Sequence, residues 1–241
     1  MKHSSHSRRQ RGFTLVEIAI VLMIVGLLIG GILRGQELIQ SARVRNIIDQ
    51  KSAVQTAYIG FLDRYRMLPG DLTATQATVV GNGALASAGA GGDGLITWNT
   101  ESILFFQNLT AAGFLSCGGC MTVAAAGAPG INNSPINVYG DFLWAGHINS
   151  DSTGLINPAW FDTTGGITRL QVSTGASVPS QVLAEVDRKA DDGLPGSGQL
   201  RFALGGGAAA IAVCAPTLLA APSTAPWANP SQANCLGSWL F

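Results

Sequence analysis

The sequence is poor in charge and in the side chains that most enzymes use. Only 12% of its 241 residues are charged, and three are histidines. No nucleophile elbow, His/Asp/Ser series, pair of catalytic carboxylates, Walker motif or HExxH sequence can be assembled. Ser197 lies between two glycines but has no base at a spacing that would activate it. These absences argue against an enzyme and favour a structural or binding protein.

Basic residues are scarce in the larger, C-terminal part of the chain. From Pro69 onward there are four, against ten acidic residues, which gives a net charge of −6. Nucleic-acid-binding domains concentrate Lys and Arg on one face, and this region has too few to do so. We therefore expect no nucleic acid among the partners.

The one long apolar run lies near the N-terminus. Residues 1–12 form a leader with four basic and no acidic residues, and the positive-inside rule keeps such a leader in the cytoplasm. Residues 13–33 follow and would form a helix about 31 Å long, enough to cross a bilayer core. Glu17 is the exception within this span, because a buried ionised carboxylate costs several kcal/mol unless it is paired.

The order Arg11-Gly12, then Phe13-Thr14-Leu15-Val16-Glu17, then an apolar helix resembles the class III signal of type IV prepilins and type II secretion pseudopilins. The resemblance implies that a prepilin peptidase cleaves after Gly12 and methylates the new amino group of Phe13. It also implies that Glu17 pairs with the terminal amine of a neighbouring subunit during assembly. The alternatives are a cleaved signal peptide, which would end in a small-residue site after the apolar run, and a simple signal anchor, which has no use for Glu17.

The resemblance implies an α+β, type IV pilin-like fold, in which a long N-terminal helix packs on an antiparallel sheet. Its domains would be the leader, an N-terminal helix over 13–68 and an extracytoplasmic head over 69–241. The helix divides into a transmembrane or filament-core part, 13–33, and an amphipathic part, 34–68.

Helical periodicity supports one continuous N-terminal helix. Apolar residues recur at helical spacing, and the pattern predicts a helix from Thr14 to Arg66 that stops before Pro69. Tyr58, Phe61 and Tyr65 lie on its apolar face and are expected in the core of the head.

Shorter elements are expected in the head. The pattern predicts a helix after a cap at Asn99-Thr100-Glu101 and a second helix with a serine cap at Ser180. Strands are predicted within 136–148, 167–172, 199–203 and 208–214, and residues 236–241 are expected to return to the sheet. The Gly/Ala-rich segment 81–94 is predicted to be an irregular loop.

Four cysteines lie beyond the apolar run: Cys117, Cys120, Cys214 and Cys235. An even number outside a membrane anchor predicts disulfides in an oxidising compartment. Three pairings are possible. We favour Cys214–Cys235, which would contribute about 3 kcal/mol through loop entropy, and Cys117–Cys120 as a local bridge. A four-thiolate zinc site and a redox CxxC are alternatives, but there is no second CxxC and no strand-then-helix context.

Two segments of the head, Leu68–Asp71 and Asp187–Arg201, resemble recurrent elements of one group of prepilin-like proteins. The second contains Asp191-Asp192-Gly193, which predicts a tight turn at a helix end. The carboxylates of Asp191 and Asp192 could bind Ca²⁺ with backbone carbonyls, and some pseudopilins use a calcium site. The alternative is an Asx-type turn balanced by a nearby basic residue, Lys189 or Arg201.

His147 is the only histidine that would remain after cleavage, and it is expected to be structural. The function expected from the whole sequence is that of a prepilin-like structural subunit of a type IV pilus or a type II secretion pseudopilus. Its partners would be prepilin peptidase, other pilin or pseudopilin subunits and the inner-membrane assembly platform. It would cross the bacterial inner membrane once, with its head in the periplasm, and later lie in a filament or at the cell surface.

Two functions from other classes stay open at this point. A membrane-anchored periplasmic binding protein or enzyme would not form filaments and would not need Glu17. A DNA-capturing minor pilin is disfavoured by the acidic head.

Overall fold

A computed structural model describes residues 14–81, 86–87, 91–97, 101–120, 129–147, 169–203, 211–217, 224–229 and 231–241. The chain divides into two compact units, Met1–Ala42 and Arg43–Phe241. The helices and strands in chain order are α1 (Leu15–Tyr65), α2 (Ala74–Val80), α3 (Ser102–Ala111), β1 (Ala145–His147), β2 (Leu170–Ser173), α4 (Ser180–Ala190), β3 (Leu200–Ala203), α5 (Ile211–Cys214) and β4 (Leu236–Leu240).

Helix α1 confirms the predicted N-terminal helix to within one residue at each end. It stops where Arg66 adopts a positive φ of 55°, a left-handed conformation that ends a helix. Pro69 follows and prevents a restart. In the first unit, the large apolar side chains of α1 are exposed along its length. A surface of this kind requires lipid or other helices around it.

In the second unit, one face of α1 is buried in the core of the head. The buried side chains recur at helical spacing and are Val44, Ile47, Val54, Ala57 and Phe61. Tyr58, Phe61 and Tyr65 pack against Phe105, Phe114 and Phe241, with ring centroids 5.9–6.4 Å apart. The rings of Phe61 and Tyr65 are 4.9 Å apart. These aromatic residues are core residues, as the sequence predicts.

The head contains a four-stranded antiparallel sheet in the order β1-β2-β4-β3. Val172 of β2 and Leu200 of β3 both lie opposite Trp239 of β4. Strand β4, the last element of the chain, is therefore central in the sheet, and all five of its residues are buried. This arrangement confirms the α+β fold and the return of residues 236–241 to the sheet.

Two apolar clusters fill the head. One joins α1 near Ile47 with α4, β3, β4 and the loop that contains Trp227. The other joins α1 near Phe61 with α2, α3, β1 and β2. Because α1 contributes to both clusters, it is the element on which the head is built.

One predicted strand is wrong. Ile211–Cys214 is a helix rather than a strand, because the run around it is rich in alanine, the best helix former. The prediction of one or two strands within 136–148 is confirmed by one short strand, β1. The Asn137 side chain accepts hydrogen bonds from the amides of Tyr139 and Asp141, and the turn that results keeps the residues before β1 out of the sheet.

Two predicted helix caps differ as well. Pro179 is the cap of α4, and the Ser180 hydroxyl instead donates to the Ala228 carbonyl. Glu101 precedes α3 but makes no capping bond. It is fully buried, and it accepts the Ser87 hydroxyl and the Thr97 amide. Asn99 and Thr100 lie outside the described residues.

Candidate functional site

The N-terminal end of α1 is closed by two side chains, Thr14 and Glu17. The Thr14 amide and hydroxyl both donate to Glu17 Oε2, at 2.8 and 2.9 Å. The Glu17 amide in turn donates to Thr14 Oγ1 at 3.3 Å. This reciprocal pattern is a capping box, and it satisfies amide groups that the first turn of a helix leaves without partners.

Among the described residues, Glu17 has hydrogen-bond partners but no cationic partner. It is exposed, and the salt bridges found within the described ranges lie elsewhere, between Arg34 and Glu37, Arg66 and Asp63, and Lys189 and Glu185. Its charge is thus available to a cation that lies outside the described residues. Gly12 and Phe13, the residues predicted for processing, lie outside the described residues.

The helix that carries Glu17 can cross a membrane by length and composition. Within α1, an 18-residue window reaches a mean hydropathy of 2.7, and none of its residues is buried. Helices of at least about 20 apolar residues span a bilayer. The capping box therefore lies at the N-terminal end of a membrane-length apolar helix.

A family model described as the prokaryotic N-terminal methylation motif matches residues 7–33. The chain carries the prepilin-type signal of the type IV pilin and pseudopilin family. The prepilin motif implies processing by a prepilin peptidase and assembly with other pilin subunits. It indicates a structural subunit, and with the apolar helix it indicates membrane anchoring. No match was found among curated proteins or among solved structures.

A second candidate site is the acidic turn after α4. Asp187, Asp191 and Asp192 each place a carboxylate oxygen within 4.8 Å of the others. The first of them, Asp187, is a buried residue that the sequence reading did not single out. Its position one helical turn before Asp191 is the signal that would have found it.

The acidic turn already uses its carboxylate oxygens within the chain. Asp192 accepts the Leu194 amide at 2.9 Å and the Ser197 hydroxyl at 2.6 Å. Asp187 accepts the Trp227 indole N–H at 2.7 Å. These bonds fit the Asx-type turn, although Lys189 pairs with Glu185 and not with either turn carboxylate. Calcium at Asp191 and Asp192 stays a prediction, and only the carboxylate oxygens that accept fewer than two hydrogen bonds keep a lone pair for it.

Asp191 has a further contact, with the outer edge of β3. Its Oδ2 accepts the backbone amides of Gln199 and of Leu200, the latter at 2.9 Å. The Phe202 amide on the same edge donates to the Pro195 carbonyl at 2.8 Å. Gly198 is required here, because a Cβ at that position would overlap the Asp191 carboxylate. The acidic turn therefore covers an edge strand that could otherwise pair with another chain.

The opposite edge of the sheet is covered in a similar way. The Ala145 and His147 amides of β1 donate to Ser102 Oγ and to the Ile96 carbonyl. Asp71 anchors the turn that lies just before Ile96, because it accepts hydrogen bonds from the amides of Gly92, Asp93 and Gly94. Leu68–Asp71 and Asp187–Arg201, the two segments with a family resemblance, thus both secure a sheet edge.

His147 belongs to this second edge. Its Nδ1 accepts the Ile96 amide at 2.9 Å, and that bond requires the nitrogen to be unprotonated. Burial lowers the pKa of His147, against the opposing pull of the Asp71 and Asp93 carboxylates. These contacts give His147 a structural part in closing the edge, as expected.

Both cysteine pairs are disulfides. Cys117 is bonded to Cys120 and Cys214 to Cys235, and no cysteine is free. This is the pairing favoured on sequence grounds. Because all four sulfurs are in disulfide bonds, none is a thiolate that could bind zinc.

Replacing Asp191 with alanine is expected to lower the free energy of unfolding by about 2–3 kcal/mol, because two amides lose a charged acceptor. It should also make heads associate through the freed β3 edge. Chemical denaturation and sedimentation of the full chain in detergent measure the two effects. Asp192→Ala is the matched control, since Asp192 contacts the turn and not the strand, and it should cost about 1 kcal/mol. Equal effects of the two variants would contradict this role for Asp191.

The stability of the head is expected to fall as the pH rises through about 6. Burial raises the pKa of Asp187 from 3.8 to about 6, and nearby Asp191 and Asp192 add to the rise, against hydrogen bonds from Trp227 and Gly193. Between these values the folded chain binds the proton more tightly than the unfolded chain, so Asp187 favours folding at low pH and opposes it at neutral pH. The expected loss between pH 4 and 7 is about 2 kcal/mol after allowance for solvent screening.

Asp187→Asn tests this pH dependence, because the amide does not titrate and keeps one oxygen as an acceptor. Denaturation curves at pH 4.5 and 7.5 should show a smaller change for the variant than for the wild type. An unchanged pH dependence would contradict the assignment to Asp187.

Proposed function

We propose that this chain is a prepilin-like structural subunit that is stored in the membrane and assembles through α1 into a type IV pilus or a type II secretion pseudopilus. Prepilin peptidase cleaves it after Gly12 and methylates the amino group of Phe13. The inner-membrane assembly platform then receives the mature subunit. The observation that carries the proposal is the capping box of Glu17 and Thr14 at the start of an exposed, membrane-length apolar helix.

The chemistry of assembly follows from the charge of Glu17. Its carboxylate holds the Thr14 amide and hydroxyl, which are neutral donors. Cleavage creates an ammonium group at Phe13, and the same group on a neighbouring subunit is a cation with which Glu17 can pair. Bringing the two charges together in an apolar filament core removes two costly unpaired charges at once. A subunit that does not align the two groups leaves both charges unpaired in the apolar core, and this energetic cost disfavours its incorporation.

The surface of α1 supports a filament. In the membrane, the exposed apolar side chains of the first unit lie in lipid. On leaving the membrane they require an equally apolar environment, and packed helices of other subunits supply it. A subunit with this surface is stable in the membrane or in an assembly, and it is unstable alone in water.

The head is proposed to lie in the periplasm. The basic leader supports a cytoplasmic N-terminus, and a single span then puts the head on the other side. Two disulfides in the head support an oxidising compartment. A membrane-anchored binding protein or enzyme remains the alternative function, and it would share the anchor and the disulfides but not the need for Glu17.

Mass spectrometry of the mature N-terminus tests the proposal directly. The expected mature chain begins at Phe13 and carries a methyl group on its amine. A matched sample from cells without prepilin peptidase should retain Met1 or its processed form together with the leader. In normal cells, a mature N-terminus near Arg34 or a chain that still carries the leader would contradict the proposal.

A further inference from the structure

The head contains a groove between α4 and the loop that precedes β4. Its volume is about 490 Å³, within the range of small-molecule sites. One wall is a single face of α4, formed by Gln181, Ala184 and Arg188 at spacings of three and four residues. The other wall is formed by Trp227 and its neighbours, residues 226–229.

The loop wall is fixed before any ligand binds. The Trp227 indole N–H donates to the buried carboxylate of Asp187 at 2.7 Å. The Ala228 amide donates to the Cys214 carbonyl at 2.8 Å, and the Ser180 hydroxyl donates to the Ala228 carbonyl at 3.0 Å. The Cys214–Cys235 disulfide closes the loop. A wall whose backbone is held in this way loses little conformational entropy on binding.

The groove offers polar groups of every hydrogen-bonding type. The Arg188 guanidinium is a donor only, the Asp192 carboxylate is an acceptor only, and the amides of Gln181 and Asn229 are both. In the described parts of the chain, the side chains of Arg188, Gln181 and Asn229 have no hydrogen-bond or salt-bridge partner. Asp192 is held in place by the Leu194 amide and the Ser197 hydroxyl.

This combination selects a class of ligand. A charged ligand of either sign would be attracted by one of Arg188 and Asp192 and repelled by the other. An apolar ligand would make no hydrogen bonds with these four exposed side chains and would displace part of their water. A ligand with adjacent hydroxyl groups both donates and accepts, and it can pair with planar guanidinium, carboxylate and amide groups. The C–H groups of such a ligand can pack on Ala184 and Pro226, which also line the groove.

We propose that this groove binds a neutral saccharide of one or two sugar units. Its hydroxyl groups hydrogen-bond to Arg188, Asp192 and the amides of Gln181 and Asn229, and its C–H face packs against the apolar part of the lining. All of the residues that line the groove belong to the second compact unit.

Saturation-transfer NMR on the full chain in detergent tests the proposal. The probes are maltose, cellobiose, lactose and N,N′-diacetylchitobiose, with glucuronate and glucosamine as charged comparators. At least one neutral disaccharide should receive saturation and bind better than both charged sugars. No transfer to any of the four neutral sugars, or stronger binding of a charged one, would overturn the proposal.

Two variants on α4 localise the binding. Arg188→Gln should weaken the affinity for the bound disaccharide about tenfold, because hydrogen bonds from a charged donor are lost. Lys189→Gln is the matched control, since it removes the same charge one residue along the helix, outside the groove. Asn229→Ala, in the opposite wall, should also weaken binding. Unchanged affinity in both Arg188→Gln and Asn229→Ala would place the sugar elsewhere and overturn the proposal.

Discussion

Replacing Glu17 with alanine is expected to leave membrane insertion intact and to abolish filament assembly. Insertion depends on the apolar span and the basic leader, and alanine makes the span more apolar. Assembly loses the carboxylate that is proposed to pair with the Phe13 ammonium of a neighbour. Leaving one member of a buried ion pair alone costs about 3–5 kcal/mol, which corresponds to more than a hundredfold in affinity at each subunit contact.

Glu37→Ala is the matched control for Glu17→Ala. Glu37 is another glutamate of α1, exposed and paired with Arg34 at 2.9 Å. Exposed pairs of this type contribute about 0.2–1 kcal/mol, so filaments should still form. The measurements are membrane fractionation, to show insertion, and electron microscopy of sheared filaments, to show assembly. Normal filaments from Glu17→Ala cells would contradict the filament role and favour a membrane-anchored protein.

The N-terminal part of the fold could be predicted because its determinants are local. The basic leader, the apolar span and the Phe13–Glu17 order are contiguous in the sequence. The end of α1 is also local, since Pro69 excludes a helix in the residues just before it. The capping bonds of Glu17 were missed, although Thr14 followed by Glu17 three residues later has the pattern of a capping box.

Short elements of the head were harder to predict. Helix α2 was missed, and the signal was present, because Thr73 and Gln76 form a complete capping box. The Ile211–Cys214 segment was assigned to the wrong class, since a short apolar run fits a strand or a helix equally well and periodicity cannot separate them. Such segments take the structure that their tertiary contacts favour.

The role of Asp191 in covering the edge of β3 could not be predicted from the sequence, for a different reason. The turn itself follows from the local Asp-Asp-Gly sequence. Its contact with Leu200 depends on which side of β3 faces β4, and that is set by pairing with residues 236–240 at the far end of the chain. The hydrogen bond between Asp187 and Trp227 is equally remote, since the two residues are 40 positions apart in the sequence.

Removing the Cys214–Cys235 disulfide is expected to destabilise the head more than any other change to its loops. The two cysteines are 21 residues apart and fully buried. Loop entropy alone gives about 3 kcal/mol for a bridge of this length. Cys235 directly precedes β4, so the bridge also fixes the start of the central strand, whose loss would open the pairing with both β2 and β3.

The second disulfide supplies the control, because it differs mainly in the length of chain that it closes. Cys117 and Cys120 are only three residues apart, and the same entropy argument gives about 2 kcal/mol. Alanine pairs at the two bridges should therefore differ by at least about 1 kcal/mol in the free energy of unfolding, measured by chemical denaturation of the full chain under oxidising conditions. The Cys214/Cys235 variant should in addition lose near-ultraviolet circular dichroism from Trp227 and Trp239, which lie on either side of Cys235 in the sequence. Equal destabilisation with both tryptophan signals retained would show that β4 is held by its sheet neighbours alone, and that the bridge contributes nothing beyond the local cross-link.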